Sequence, residues 1–230
     1  MTTEVTNSTE YFYRVTAVDG EGNESSPSNE VTGTPSAAQT GNFVVEQEGS
    51  SSIALSSLSK DDLTVEEFYD YRNSKANTPS SINGGPVDLQ ETGVSHIFFY
   101  EGPDGEISLV VLHGEKQEDA FVTFELSGIP SQSSKTVRDD NPGNDSYSEG
   151  EINWVWDTGK TDGVVWTGGF KEPFEITIQP SFTGIQEWVA VRPKSEGNGV
   201  EKITLDKKKS LVVSSGGSSV VPTTLSATAG

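Results

Sequence analysis

Apolar and polar positions alternate along most of this chain in short runs, with turn-forming residues between them. That period of two marks strands with one buried face. Near the start, Tyr11, Tyr13, Val15 and Ala17 interleave with Phe12, Arg14, Thr16 and Val18. "DGEGN" then supplies a turn through Asp19, Gly20, Gly22 and Asn23. Residues 28–34, "SNEVTGT", predict a short second strand before Pro35, and "SAAQTG" at 36–41 reads as a small-residue linker. Beyond it, "NFVVEQ" and "SIALSS" predict two more strands. The period then changes once. In "LTVEEFYDYRN", Thr64 and Glu67 form a capping box, and Val65, Phe68, Tyr69 and Arg72 share a helical face. Residues 73–93, with Pro79, Gly84, Gly85 and Pro86, read as loop.

The strongest signal follows. "SHIFFYE" and "EISLVVLHG" flank "GPDG", a hairpin with Pro103 and Asp104 at its tip. Both arms are apolar on both faces, which predicts a central place in a sandwich. "AFVTFELSG" puts Val122, Phe124 and Leu126 on one face, and residues 131–150 read as a long polar loop. "EINWVWD", "GVVWTG", "FEITIQP", "QEWVAVRP", "EKITLD" and "SLVVSS" continue the strands. One helix among about ten strands predicts an all-β, jelly-roll-like sandwich over residues 42–215. Residues 216–230 form a Ser/Gly/Thr-rich tail in which Val220 to Leu225 can serve as a donated strand.

The opening segment carries a specific likeness. Tyr11, Tyr13, Arg14, Val15, Ala17, Val18, Asp19, Gly22, Ser25 and Ser28 follow the order Y-x-Y-R-V-x-A-V-D, a glycine-containing turn, then S-x-x-S. This resembles the C-terminal part of a fibronectin type III domain, and the resemblance covers about residues 4–35. Such a sandwich takes about 100 residues, so residues 1–35 are expected to form only part of one. The resemblance implies a secreted, multidomain setting in which these modules act as spacers beside carbohydrate-active domains.

Charge narrows the partners. Over 230 residues, Lys+Arg number 15 against 35 Asp+Glu, a formal net charge of −20. Such a surface repels nucleic-acid phosphate and anionic headgroups, so neither nucleic acid nor membrane insertion is expected. With no cysteine there are no disulfides, thiol nucleophiles or cysteine-ligated zinc. Residues 1–15 carry no basic start followed by an apolar run, and no stretch approaches the roughly 20 apolar residues of a membrane helix.

Catalytic grammar is sparse. There is no H-E-x-x-H, G-x-S-x-G, P-loop or strand-linked G-x-G-x-x-G. The only histidines, His96 and His113, stand at the far ends of the two hairpin arms, where antiparallel pairing can bring them near each other. They read as ordinary strand-end residues rather than a catalytic pair. No carboxylate pair stands out as a glycosidase pair among so many acids, and catalysis is not expected. "RDDNPGND" places Asp139, Asp140, Asn141, Asn144 and Asp145 in one oxygen-rich loop suited to calcium, with Asp157 and Asp162 in a second. Neither has EF-hand spacing, and solvated turns account for both. Trp154 and Trp156 share a face with Ile152, which reads as core. Trp188 and Trp166 are the candidates for an aromatic sugar platform, because Val189 and Val191 compete with Trp188 and Ala190 for a single core. Asn7, Asn23 and Asn144 begin N-x-S/T sequons.

Two functions are therefore expected of this sequence. The first is a non-enzymatic extracellular structural protein, a subunit of a surface filament or layer whose copies polymerise by β-strand exchange. The alternative is a carbohydrate- or surface-binding module of a larger secreted protein.

Overall fold

In the computed structural model, the described residues are 11–33, 42–60, 63–68, 81–82, 85–86, 89, 91–115, 120–138, 145–159, 161–196 and 199–216. The chain packs as two units, residues 1–39 and 40–230. The linker at 36–41 falls wholly outside the described residues, as does the tail from 217 onward with its Val220–Leu225 segment.

In the first unit, β1 (Tyr11–Tyr13) pairs antiparallel with β2 (Val31–Gly33). The ladder does not run on through Val18 as the alternation predicts. Serines complete it instead. Ser28 accepts from the Val15 amide through its hydroxyl (3.0 Å) and donates its own amide to the Val15 carbonyl (2.8 Å). Ser25 does the same for Ala17, at 2.9 Å in both directions. Asp19 closes the turn between them, its Oδ1 accepting from the amides of Glu21 and Asn23. Hydrogen bonds from Asn23, side chain first, hold the Asp19 carboxyl below its ordinary range. Gly22 sits at φ 88°, a conformation open to glycine without strain.

The second unit is a β-sandwich with a third, partial layer. Its strands are β3 (Phe43–Glu46), β4 (Ile53–Leu55), β5 (Ser81–Ile82), β6 (Gly85–Pro86), β7 (Val94–Glu101), β8 (Ile107–His113) and β9 (Phe121–Ser127). β10 (Ser134–Arg138), β11 (Ser146–Tyr147), β12 (Glu151–Trp154), β13 (Asp162–Thr167), β14 (Glu175–Thr183), β15 (Glu187–Pro193), β16 (Val200–Leu205) and β17 (Leu211–Ser215) follow. One sheet has the order β10-β13-β8-β7-β15-β16 and the other β11-β12-β9-β14-β17-β3-β4. Among the described residues the strands pair antiparallel except β15 with β7, and Leu58 bridges Tyr100 in parallel. The β15–β7 pairing ends at Ile97, and Leu58 takes over the freed edge through bonds to Phe99 O (2.7 Å) and from Glu101 N (2.8 Å).

The sequence readings hold for the predicted strands and for the hairpin, whose turn is closed by Gly105 N to Gly102 O at 2.9 Å. The "polar loop" at 131–150 is corrected: it supplies β10 and β11, the outer strands at one side of the two sheets. The loop at 73–93 includes the short β5–β6 pair. The helix α1 spans Val65–Phe68, and its capping box is made as expected, Thr64 N to Glu67 Oε2 at 2.9 Å and Glu67 N to Thr64 Oγ1 at 3.3 Å. Tyr69 and Arg72 lie outside the described residues.

Two hydrophobic cores result. Between the sheets lie Ile97, Phe99, Leu109 and Val111 from the hairpin, packed against Phe124, Ile152, Trp154 and Ile178. On the outer face of the six-stranded sheet lie Phe98, Tyr100, Val110 and Leu112, covered by Leu58, Val65, Phe68 and Leu89. Phe68 stacks on Tyr100 (4.4 Å, 26°), whose hydroxyl donates to Leu63 O at 2.9 Å. The six-stranded sheet is thus a middle layer, which is why its central strands read as apolar on both faces.

Backbone segments also approach closely where β9 ends. Gly128 adopts φ +78°, and a Cβ there would sit 2.0 Å from the Glu175 carbonyl oxygen. Gly128→Ala is expected to cost on the order of 2–3 kcal/mol, read as a lower urea midpoint at unchanged m-value.

Candidate functional site

Three places concentrate polar chemistry in the sandwich. The first is a single rung across β7, β8 and β13, where Ser95 pairs with His113 and His113 with Asp162. Cross-strand partners project to one side of a sheet, here the inter-sheet side. Ser95 Oγ lies 2.8 Å from His113 Nδ1, and Asp162 Oδ1 accepts from the Gly163 amide at 2.7 Å. The imidazole stacks on Trp156 (5.3 Å, 19°) and meets Trp154 edge-on at 4.6 Å. Serine, histidine and aspartate invite comparison with a hydrolase triad. Burial argues against it. Ser95 and His113 are 0% exposed and Asp162 1%. Burial, and secondarily the neighbouring His96, push His113 down to about 3, far from a general base poised near neutrality. Among the described residues, His113 Nε2 has no hydrogen-bond partner.

The second place is on the opposite face of the same sheet. His96 pairs with Leu112, one rung from His113, so the hairpin brings the histidines onto adjacent strands but sends their rings to opposite faces. His96 Nε2 lies 3.3 Å from Glu91 Oε2, and Lys202 Nζ lies 2.6 Å from the same oxygen. A carboxylate only accepts, so neutral His96 donates from Nε2. The hydrogen bond from His96, followed by Lys202, lowers Glu91 to about 2, while burial lowers His96. This cluster ties β7 to the outer strand β16.

The third place is a groove of about 600 Å³ where β9 ends, lined by Ser127, Ile129, Pro130, Ser131, Lys135, Glu149 and Trp166 among others. It opens beside β10. At the other side, Arg192 on β15 donates to Ala54 O (2.7 Å) and to Glu201 (2.9 Å) and fastens β15 to β4 and β16. A bulge shapes the groove. Lys135 pairs with Trp166 and Val137 with Val165, the register slipping between them at Thr136. Without that slip Lys135 and Val137 would share a face. With it, Lys135 stands beside Trp166 while Val137 enters the outer core.

Both platform candidates are corrected. Trp188 is 0% exposed and packs against Phe124 and Phe182 at 5.8 and 5.4 Å. Val189 and Val191 do not displace it, because they fill the outer core while Trp188 and Ala190 fill the inner one. Trp166 is 2% exposed and contributes only a rim to the groove. Neither offers a ring face to a sugar. Trp154 and Trp156 are buried with Ile152, as their shared face predicts.

Of the calcium loop, Asp139, Asp140, Asn141 and Asn144 lie outside the described residues. Asp145 is described, and its carboxylate serves the fold, accepting from Val155 N at 2.8 Å and from the Tyr147 hydroxyl at 3.1 Å. Among the described residues no group of three or more His, Asp or Glu is placed to hold a metal ion. The Asn23 sequon is exposed, with Nδ2 donating to Asp19 Oδ2 at 2.9 Å.

Sequence reasoning passes over Ser95, Glu91 and Lys135, and reads Asp162 only as a carboxylate of a second calcium-suited loop. Ser95 adjoins a histidine the hairpin already placed, so its pairing was within reach. Asp162 and Lys135 depend on which distant strands become neighbours, and the bulge leaves no local mark. No protein-family profile, curated protein or solved structure matches the chain.

Proposed function

We propose that this chain is a non-enzymatic extracellular structural protein whose copies associate through the β1–β2 unit by strand addition. One observation carries the reading. Phe12, Val15 and Val18 are 61%, 57% and 64% exposed around a sheet that has two strands among the described residues. A two-stranded ribbon is marginal in water by itself, and among the described residues no third strand pairs with either of its edges. A strand from a neighbouring copy satisfies the backbone groups of such an edge and covers the apolar side chains. The sandwich supports this by being a poor partner. Its outer strands are very short (β4 and β11), bulged beside a lysine (β10), or charged through Glu201 and Lys202 (β16). These are the devices by which sheets avoid edge-to-edge contact. Association is therefore directed to residues 11–33. The resemblance of that segment to a fibronectin type III domain fits an extracellular setting.

Light scattering and negative-stain microscopy test the reading. The wild-type chain is expected to form concentration-dependent oligomers or filaments. Phe12→Ser/Val15→Thr/Val18→Thr is expected to shift it to monomer with the sandwich melt unchanged. A wild-type chain that stays monomeric at every concentration refutes the proposal.

A further inference from the structure

We propose that the groove beside β10 is a binding site for a short oligosaccharide, with Lys135 as donor and Glu149 as acceptor. This goes beyond the assembly role and uses a different surface. The bulge at Thr136 supplies the first argument. It sets Lys135 beside Trp166 while Val137 remains in the outer core, and bulges recur where a strand must re-aim one side chain.

The second argument is electrostatic. In a chain with 35 acidic residues against 15 basic ones, Lys135 is half-buried, yet among the described residues it forms no ion pair, although Glu149 lines the same groove. Among the described residues, the groove thus holds one cation and one carboxylate without an ion-pair partner. Vicinal hydroxyls donate and accept at once and match both groups, and the hydroxyls of Ser127 and Ser131 add further partners.

The third argument is rigidity. Gly128 and Gly169 both have positive φ, and a Cβ at Gly169 would lie 2.6 Å from Pro130 Cβ. The loop carrying Ile129 and Pro130 is therefore clamped between β14 and the segment after β13, and the wall is formed before any ligand arrives. A volume of about 600 Å³ falls within the range of small-molecule sites. An extended peptide is a poorer fit, because it needs a continuous ladder edge and the bulge interrupts that of β10.

Titration of the full chain with cellotetraose, xylotetraose, tetragalacturonate and, as a control, tetra-alanine tests the site by two-dimensional NMR. At least one saccharide is expected to shift the Trp166 indole and the amides of 127–135 and 149–150 saturably at millimolar concentration. Lys135→Met is expected to weaken that binding at least tenfold, one charge-assisted hydrogen bond being worth about that factor. Ser131→Tyr, which fills the groove from an exposed position, is expected to abolish it. Unchanged melting curves establish that both variants fold. Silence with all three saccharides, binding that survives Lys135→Met, or tighter binding of tetra-alanine overturns the proposal.

Discussion

Trp188→Ala is expected to lower the unfolding free energy of the sandwich by about 3–5 kcal/mol, the range for truncating a buried large aromatic. The indole is fully buried where β15 faces β9 and β14, against Phe124 and Phe182. Little nearby can fill the void, because Phe124 is itself 0% exposed and locked into the same core. Trp188→Phe separates shape from polarity. Among the described residues the Trp188 Nε1 has no hydrogen-bond partner, so the wild-type protein already bears the cost of desolvating it. Phenylalanine leaves a smaller void and removes that donor, so its loss is expected to be less than half that of alanine. Urea denaturation followed by far-UV circular dichroism measures both. A Trp188→Ala loss below about 1 kcal/mol would mean that the residue lies at a surface, as in the rejected platform reading.

The reason Trp188 was misread shows which parts of the fold a sequence exposes. Alternation fixes which residues share a face, and it correctly grouped Trp188 with Ala190 and Val189 with Val191. It cannot state how many faces are buried. A two-layer sandwich forces a choice between the two pairs, whereas a covered middle sheet buries both. The hairpin arms held that information, since "IFFY" and "LVVL" are apolar without alternation, and "QEWVAVRP" carries the same mark more weakly. Local chemistry was legible throughout: the Thr64–Glu67 box, the turn after Glu101 and the Asp19 loop all form as their residues predict. Chemistry that depends on distant strands was not. Ser95, His113 and Asp162 come from positions up to 67 apart in sequence and meet only because β13 pairs with β8 and β8 with β7. The groove depends on the same kind of fact, joining the end of β9, the bulged β10 and the turn before β12.

Acid is expected to destabilise the sandwich earlier than its carboxylates alone would require, and His113 is the cause. The ring is fully buried among Trp154, Trp156 and Phe124, and its folded-state value falls from 6.5 to about 3. Between those values the unfolded chain binds a proton there that the folded protein does not. Stability therefore rises with pH across that interval, is fully present above 6.5, and is lost progressively as pH falls toward 3. Integrated over the interval, the loss is on the order of a few kcal/mol, and His96, also lowered by burial, adds in the same direction. Glu91 acts in a lower window. Its value is lowered from 4.5 to about 2, so its contribution is present above 4.5 and is lost only below it. The two causes separate in the range from 6.5 to 4.5, where the histidines titrate in the unfolded chain and Glu91 does not. Ser95→Ala/His113→Phe removes the buried imidazole together with the hydroxyl that pairs with it, and leaves an aromatic ring among aromatic neighbours. Urea midpoints of the wild-type chain are expected to fall steadily from pH 6.5 to 4.5, and those of the double variant to fall by a clearly smaller amount. Parallel slopes for the two proteins would show that His113 keeps an ordinary proton affinity in the folded state. That result would require water or a charged partner to reach the rung between β7, β8 and β13, and would reopen the serine–histidine–aspartate row as a site with access to solvent.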